Sequence, residues 1–155
     1  MQTDSKRRGT ARPWLWTVVI VFAGGQSASG EVALGRSLWV GTRPLAAHVA
    51  GQDFELPQDA AVCTNCHQSG PASASTAASP VSLAQPFGPP LTRTTLSQPR
   101  GRRGGPPSVY DSAKLCRALR DGIDPALVVI PQTMPRYAFT DQQCQALWAF
   151  LSTRS

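Results

Sequence analysis

The chain of 155 residues carries 15 Lys and Arg against nine Asp and Glu, with 13 glycines, 14 prolines and four cysteines. That length holds one domain with a modest core and leaves no room for a second. The formal charge of +6 does not mark a nucleic-acid binder, because four of the basic residues and one acidic residue fall in positions 1–29 and the remainder carries only +3.

Residues 1–29 read as a cleaved secretory signal. Lys6, Arg7, Arg8 and Arg12 form the charged start, Trp14 to Ala23 form an apolar run, and Ser27, Ala28, Ser29 and Gly30 supply small residues, placing cleavage after Ser29. Ten apolar residues rise only about 15 Å as a helix, half of a bilayer core, so the run engages a translocon without spanning. An uncleaved N-terminal anchor is the alternative, and Gly24-Gly25 directly after the run argues against it. Arg7-Arg8 is followed by Gly9 and Thr10 rather than an apolar residue, which is a poor twin-arginine signal. The expected location is the periplasm, with residues 30–155 as the mature domain.

That domain opens with a helix over residues 31–40, where Leu34 and Leu38, and likewise Gly35 and Trp39, lie four apart. Gly41 stops it. Residues 42–62 contain Pro44, Gly51 and Pro57 and read as a loop leading to a short helical turn. From Gln68 to Ser108 there are eight prolines, five glycines and no acidic residue, the composition of a long irregular surface loop. A helix follows over 111–120, with Ala113, Cys116 and Leu119 on one side and Gly122 beyond its end. The last helix carries the clearest signal: Thr140 and Gln143 make a capping box, and Cys144, Leu147 and Leu151 form a stripe that Trp148 and Phe150 widen.

Chemistry concentrates in Cys63-Thr64-Asn65-Cys66-His67. Covalent haem attachment needs two thiols near the two vinyl groups and a histidine directly after the second thiol, to reach the iron. The motif supplies all three. A structural zinc site would need a second close pair of ligands, which Cys116, Cys144 and His48 do not form; a thioredoxin-like site would need alternating strands and helices. These thiol and zinc readings rank below one c-type haem held by Cys63 and Cys66, with His67 on the iron.

For the opposite iron position the mature chain offers one methionine, Met134, and one further histidine, His48. Met134 is the expected ligand, because Pro131 and Pro135 stiffen its segment and present a thioether at little entropic cost. The alternative is a loop methionine filling a gap in the core. His48, in a weakly patterned stretch, is expected on the surface.

Most of residues 31–155 resembles the class I c-type cytochromes. The similarity rests on the haem motif, on Gly35 and Trp39 in the first helix, on Leu147 and Phe150 in the last, and on Met134-Pro135-Arg136-Tyr137 ahead of a capped terminal helix. Gly88-Pro89-Pro90-Leu91 looks like the family segment whose proline carbonyl orients the proximal histidine, which adds Pro89 to the expected cofactor site. The resemblance implies an all-α, cytochrome c-like fold of four or five short helices around one covalent haem. It also implies a one-electron carrier rather than an enzyme; a thioether ligand and a dry pocket lined by Trp39, Leu147 and Phe150 give the expectation of a moderately high potential, between a dehydrogenase donor and an oxidase or reductase acceptor, and export with a short apolar run gives that of no nucleic acid and no stable membrane span. Should Met134 not ligate, a haem enzyme or a gas- or peroxide-binding haem protein is the alternative.

The long spacing from Trp39 to Cys63 and the long 68–108 loop look more like cytochrome subunits or partners of larger redox enzymes. Cys116 and Cys144 are additional to the family pattern, and fall on the inner stripes of two late helices, so they are either a disulfide staple or two buried free thiols. Arg93, Arg100, Arg102 and Arg103 form either part of a docking surface for an acidic redox partner or a solvated loop.

Overall fold

The structure, a computed structural model, describes residues 27–67 and 88–155. Almost all of the expected signal segment and residues 68–87 of the expected loop lie outside the described residues.

Helix α1 (Ala28–Trp39) carries Glu31 in its first turn and Arg36 in its last, matching the helix dipole, and buries Gly35, Leu38 and Trp39. It starts three residues earlier than its apolar pattern. Gly41, at φ +77°, turns the chain away after it. Four further helices follow: α2 (Cys63–Cys66), α3 (Arg93–Ser97), α4 (Ser112–Arg120) and α5 (Asp141–Leu151). The architecture is mostly helical, with one small sheet.

That sheet corrects the all-α expectation. Strands β1 (Ala47–His48) and β2 (Arg136–Tyr137) pair antiparallel, Ala47 opposite Tyr137 and His48 opposite Arg136. Two residues per strand are too few to print an alternating pattern on a sequence. Helix α3 corrects the reading of 68–108 as one irregular loop. Thr92 caps it and Thr95 returns the hydrogen bond to the Thr92 amide, a reciprocal box built from threonines instead of the usual Glu or Gln. One buried side chain, Leu96, anchors it. Past it, Arg100 and Ser108 exchange both backbone hydrogen bonds, which ties down residues 100–108.

Helix α4 starts at the Asp111 carboxylate, which accepts from the Lys114 amide, and α5 starts at the reciprocal Thr140–Gln143 box. Cys116 on α4 and Cys144 on α5 are joined by a disulfide, Cα atoms 5.5 Å apart and 28 residues apart in sequence. Closing a loop of that length removes about 3–4 kcal/mol of unfolded-chain entropy in the simple loop-closure model. Among the described residues no helix is long and apolar enough to cross a membrane.

The largest helix contact is α1 against α5. It is a backbone contact: a Cβ on Gly35 would overlap the peptide of Ala146 and lie 2.7 Å from the Phe150 Cβ. At Gly30, in the same helix, a Cβ would meet only the Ser27 hydroxyl, at 3.5 Å. Gly35→Ala is therefore expected to destabilise the protein by about 2 kcal/mol or more. The denaturant midpoint of the variant checks this; a midpoint equal to that of the unaltered protein would contradict the close crossing.

Candidate functional site

The site begins with one helical turn. In α2 the residues three and four apart share a face, so Cys63 and Cys66 lie together and His67 follows at the turn's end. The His67 amide donates to the Cys63 carbonyl at 2.9 Å, and the Asn65 side-chain amide donates to the Asp59 carbonyl at 2.7 Å, fixing the turn to the preceding loop. Both thiols are free, Cys63 buried and Cys66 half-buried. Burial pushes the Cys63 thiol up to about 11, opposite to the depressed value of a redox-active or nucleophilic cysteine.

The His67 ring sits against Gly88 and Pro89. Its Nδ1 lies 2.9 Å from the Pro89 carbonyl oxygen. A carbonyl only accepts, so Nδ1 carries the proton and donates, which leaves the Nε2 lone pair free for a metal. Burial pushes His67 below its usual imidazole value; the Pro89 hydrogen bond opposes this and the Arg154 charge adds to it. The neutral ring is the form that ligates. Gly88 leaves room for it, since a Cβ there would overlap the imidazole, and the Gly88 amide donates to the Cys66 carbonyl at 3.1 Å. Trp39 stands beside the ring, centroids 6.3 Å apart, and the Arg154 guanidinium lies 4.3 Å over the Trp39 ring on its other contact.

Cys63, Cys66, His67 and Pro89 open onto one cavity of about 490 Å³, and Met134 opens onto it as well. That volume is in the range of cofactor sites. Its apolar walls come from every late element, with Leu96 of α3, Leu115 and Leu119 of α4, and Leu147 and Leu151 of α5. Met134 is half-buried in a turn closed by its amide on the Pro131 carbonyl at 3.1 Å. His48 is exposed on β1 and is not among the residues lining the cavity.

Arg100, Arg102, Arg103 and Tyr110 also line the cavity, a basic margin that the sequence reading placed on a docking surface or a solvated loop. Arg102 lies 4.9 Å over the Tyr110 ring and donates to the carbonyls of Thr95, at 2.7 Å, and Ser108. Arg103 pairs with the fully buried Asp124 at 3.1 Å. Nothing in the local pattern separates Arg102 and Arg103 from Arg93, because their partners are backbone carbonyls and a carboxylate 21 residues away.

The chain matches no protein-family model, no curated protein and no solved structure.

The Gly88 cradle is open to a direct check. Gly88→Ala is expected to displace the His67 ring, break its bond to Pro89 and cost about 1–3 kcal/mol. Gly101→Ala, whose Cβ would approach only the Gly105 carbonyl at 3.5 Å, is expected to cost far less. Matching denaturation midpoints for the two variants would contradict the cradle.

Proposed function

We propose that this protein is an exported electron carrier of the class I c-type cytochrome kind, holding one haem covalently through Cys63 and Cys66. The observation that carries the reading is the convergence of two free thiols on one helical turn, a neutral histidine with Nε2 unengaged, and a methionine on a single cavity lined largely by leucines. The remaining two cysteines are spent in the α4–α5 disulfide, which leaves only the Cys63–Cys66 pair for a cofactor.

The residues fit the group in three respects. Cys63 and Cys66, three apart on a helical turn, suit attachment to two vinyl groups. His67, with Nδ1 tied to Pro89, and Met134 would be the two residues to hold the iron, and the hydrogen-bonded Nδ1 makes the histidine a better donor. Arg100, Arg102 and Tyr110 supply cationic and hydroxyl partners for carboxylates at the cavity margin. When bound, haem supplies an iron that takes up and releases one electron without any bond forming or breaking at the protein.

The chain's own residues then set how readily that electron is held. A thioether ligand favours the ferrous state, and the apolar walls disfavour the extra positive charge of the ferric state. Both effects push the potential upward, as does the nearby cationic Arg154. The thiol-redox reading is weakened by the raised Cys63 thiol. A zinc module is weakened because Cys116 and Cys144 are spent in the disulfide and, among the described residues, no group of three or more His, Cys, Asp or Glu is placed to hold a metal ion.

The protein produced with haem-attachment machinery is expected to show a low-spin ferric spectrum with a weak near-infrared sulfur-to-iron charge-transfer band. Met134→Leu is expected to abolish that band and lower the midpoint potential. A high-spin spectrum of the unaltered protein would contradict Met134 ligation and favour a haem enzyme or gas-binding protein.

A further inference from the structure

We propose that Arg136 is the positioning residue for Met134: its guanidinium clamps the loop that carries the thioether and keeps it on the cavity shared with His67. The inference rests on the reading of Met134 as an iron ligand.

Arg136 is a buried cation, 4% exposed, on β2. Among the described residues it makes no ion pair. Its guanidinium is instead divided between two backbone carbonyls, one Nη donating to Met134 at 2.6 Å and the other to Ile130 at 2.7 Å. Those carbonyls are the two ends of the segment 130–134. The segment's flanking prolines, Pro131 and Pro135, have no N–H with which to tie it down by themselves.

The slot for the guanidinium is built from the other side as well. Gly122, at φ +69°, lies where any Cβ would overlap the guanidinium, and its carbonyl accepts from the Ile130 amide at 2.7 Å. The loop end and the glycine therefore enclose the cation together. A side chain required only to fill this volume would be better apolar, since a buried unpaired charge is costly. What arginine alone adds is a planar fork that reaches two separated acceptors at once; a lysine ammonium is a single point of charge. β2 is in turn paired with β1, so the fork connects the Met134 loop to the small sheet.

This arrangement matters for a ligand carried on a loop. Loops open locally far more often than whole domains unfold, and each opening exposes the iron to competing ligands. Removing two charge-assisted hydrogen bonds raises the population of the open loop by roughly tenfold or more.

Imidazole titration of the haem-loaded ferric protein measures that population, because imidazole gains the iron only when the thioether leaves it. Arg136→Gln and Arg136→Lys are both expected to bind imidazole roughly tenfold or more tightly than the unaltered protein. The lysine variant keeps the charge and so separates the fork from a charge effect. Arg43→Gln, which removes an exposed charge, is expected to leave the affinity unchanged. Unaltered imidazole affinity in Arg136→Lys would overturn the proposal. Should the Arg136 variants not fold, Gly122→Ala, which expels the guanidinium and leaves Arg136 in the sequence, is expected to give the same gain, and no gain would overturn it. Absence of the thioether band in the unaltered protein would overturn the parent reading before any variant is made, so the two failures are distinguishable.

Discussion

The rest of the structure depends on α1 and α5 touching at their backbones. Gly35 has no side chain to hold the helices apart, so Ala146 and Phe150 come down directly onto α1. That approach places Trp39 of α1 and Leu147 and Leu151 of α5 on one cavity, and the α4–α5 disulfide brings Leu115 and Leu119 to it. A small domain with, among its described residues, five short helices has little apolar surface to spend. Here that surface is gathered around a single site.

Loops complete the site, and they are held by polar groups working on backbone atoms. Asp124, fully buried, accepts from the amides of Ala126 and Val128, each at 2.9 Å, while Leu127 takes φ +64°. An L-residue holds that conformation only where its surroundings fix it. Arg102 and Arg136 act the same way on carbonyls, and the Tyr137 hydroxyl donates to the Ala61 carbonyl at 3.1 Å just ahead of α2. A proline- and glycine-rich chain makes few helical hydrogen bonds, so its buried carbonyls need such partners. The loops that bear Met134 and the basic margin are therefore tied by side-chain hydrogen bonds to their backbone.

The parts of the fold visible in the sequence were those with a period or a cap. α5 was legible from Thr140, Gln143 and its leucine stripe, and the α1–α5 crossing from the resemblance of Gly35, Trp39 and Phe150 to a known pattern; α4 was legible as a helix, but its buried face is Leu115, Ala118 and Leu119, while Ala113 of the expected side is exposed and Cys116 half-buried. α3 was not legible, because a threonine pair makes its capping box and one leucine anchors it. The sheet was too short to leave a pattern. Of the residues that share the cavity, Cys63, Cys66 and His67 stand out in the sequence by their spacing, and Met134 by the small number of other candidates. Arg102, Arg103, Tyr110 and Arg136 do not, since their roles depend on carbonyls and a carboxylate that only the folded chain brings near. An arginine bonded to a backbone carbonyl looks, in a sequence, like any exposed arginine.

The central claim is covalent attachment at Cys63 and Cys66, and intact-mass measurement after denaturation and acid–organic extraction tests it most directly. The account predicts that the mature chain retains the mass of one haem, that the fragment bearing residues 63–67 carries it, and that Cys116 and Cys144 remain bridged. Complete extraction of the chromophore, or a chain whose mass corresponds to the polypeptide alone with Cys63 and Cys66 joined or free, would contradict it.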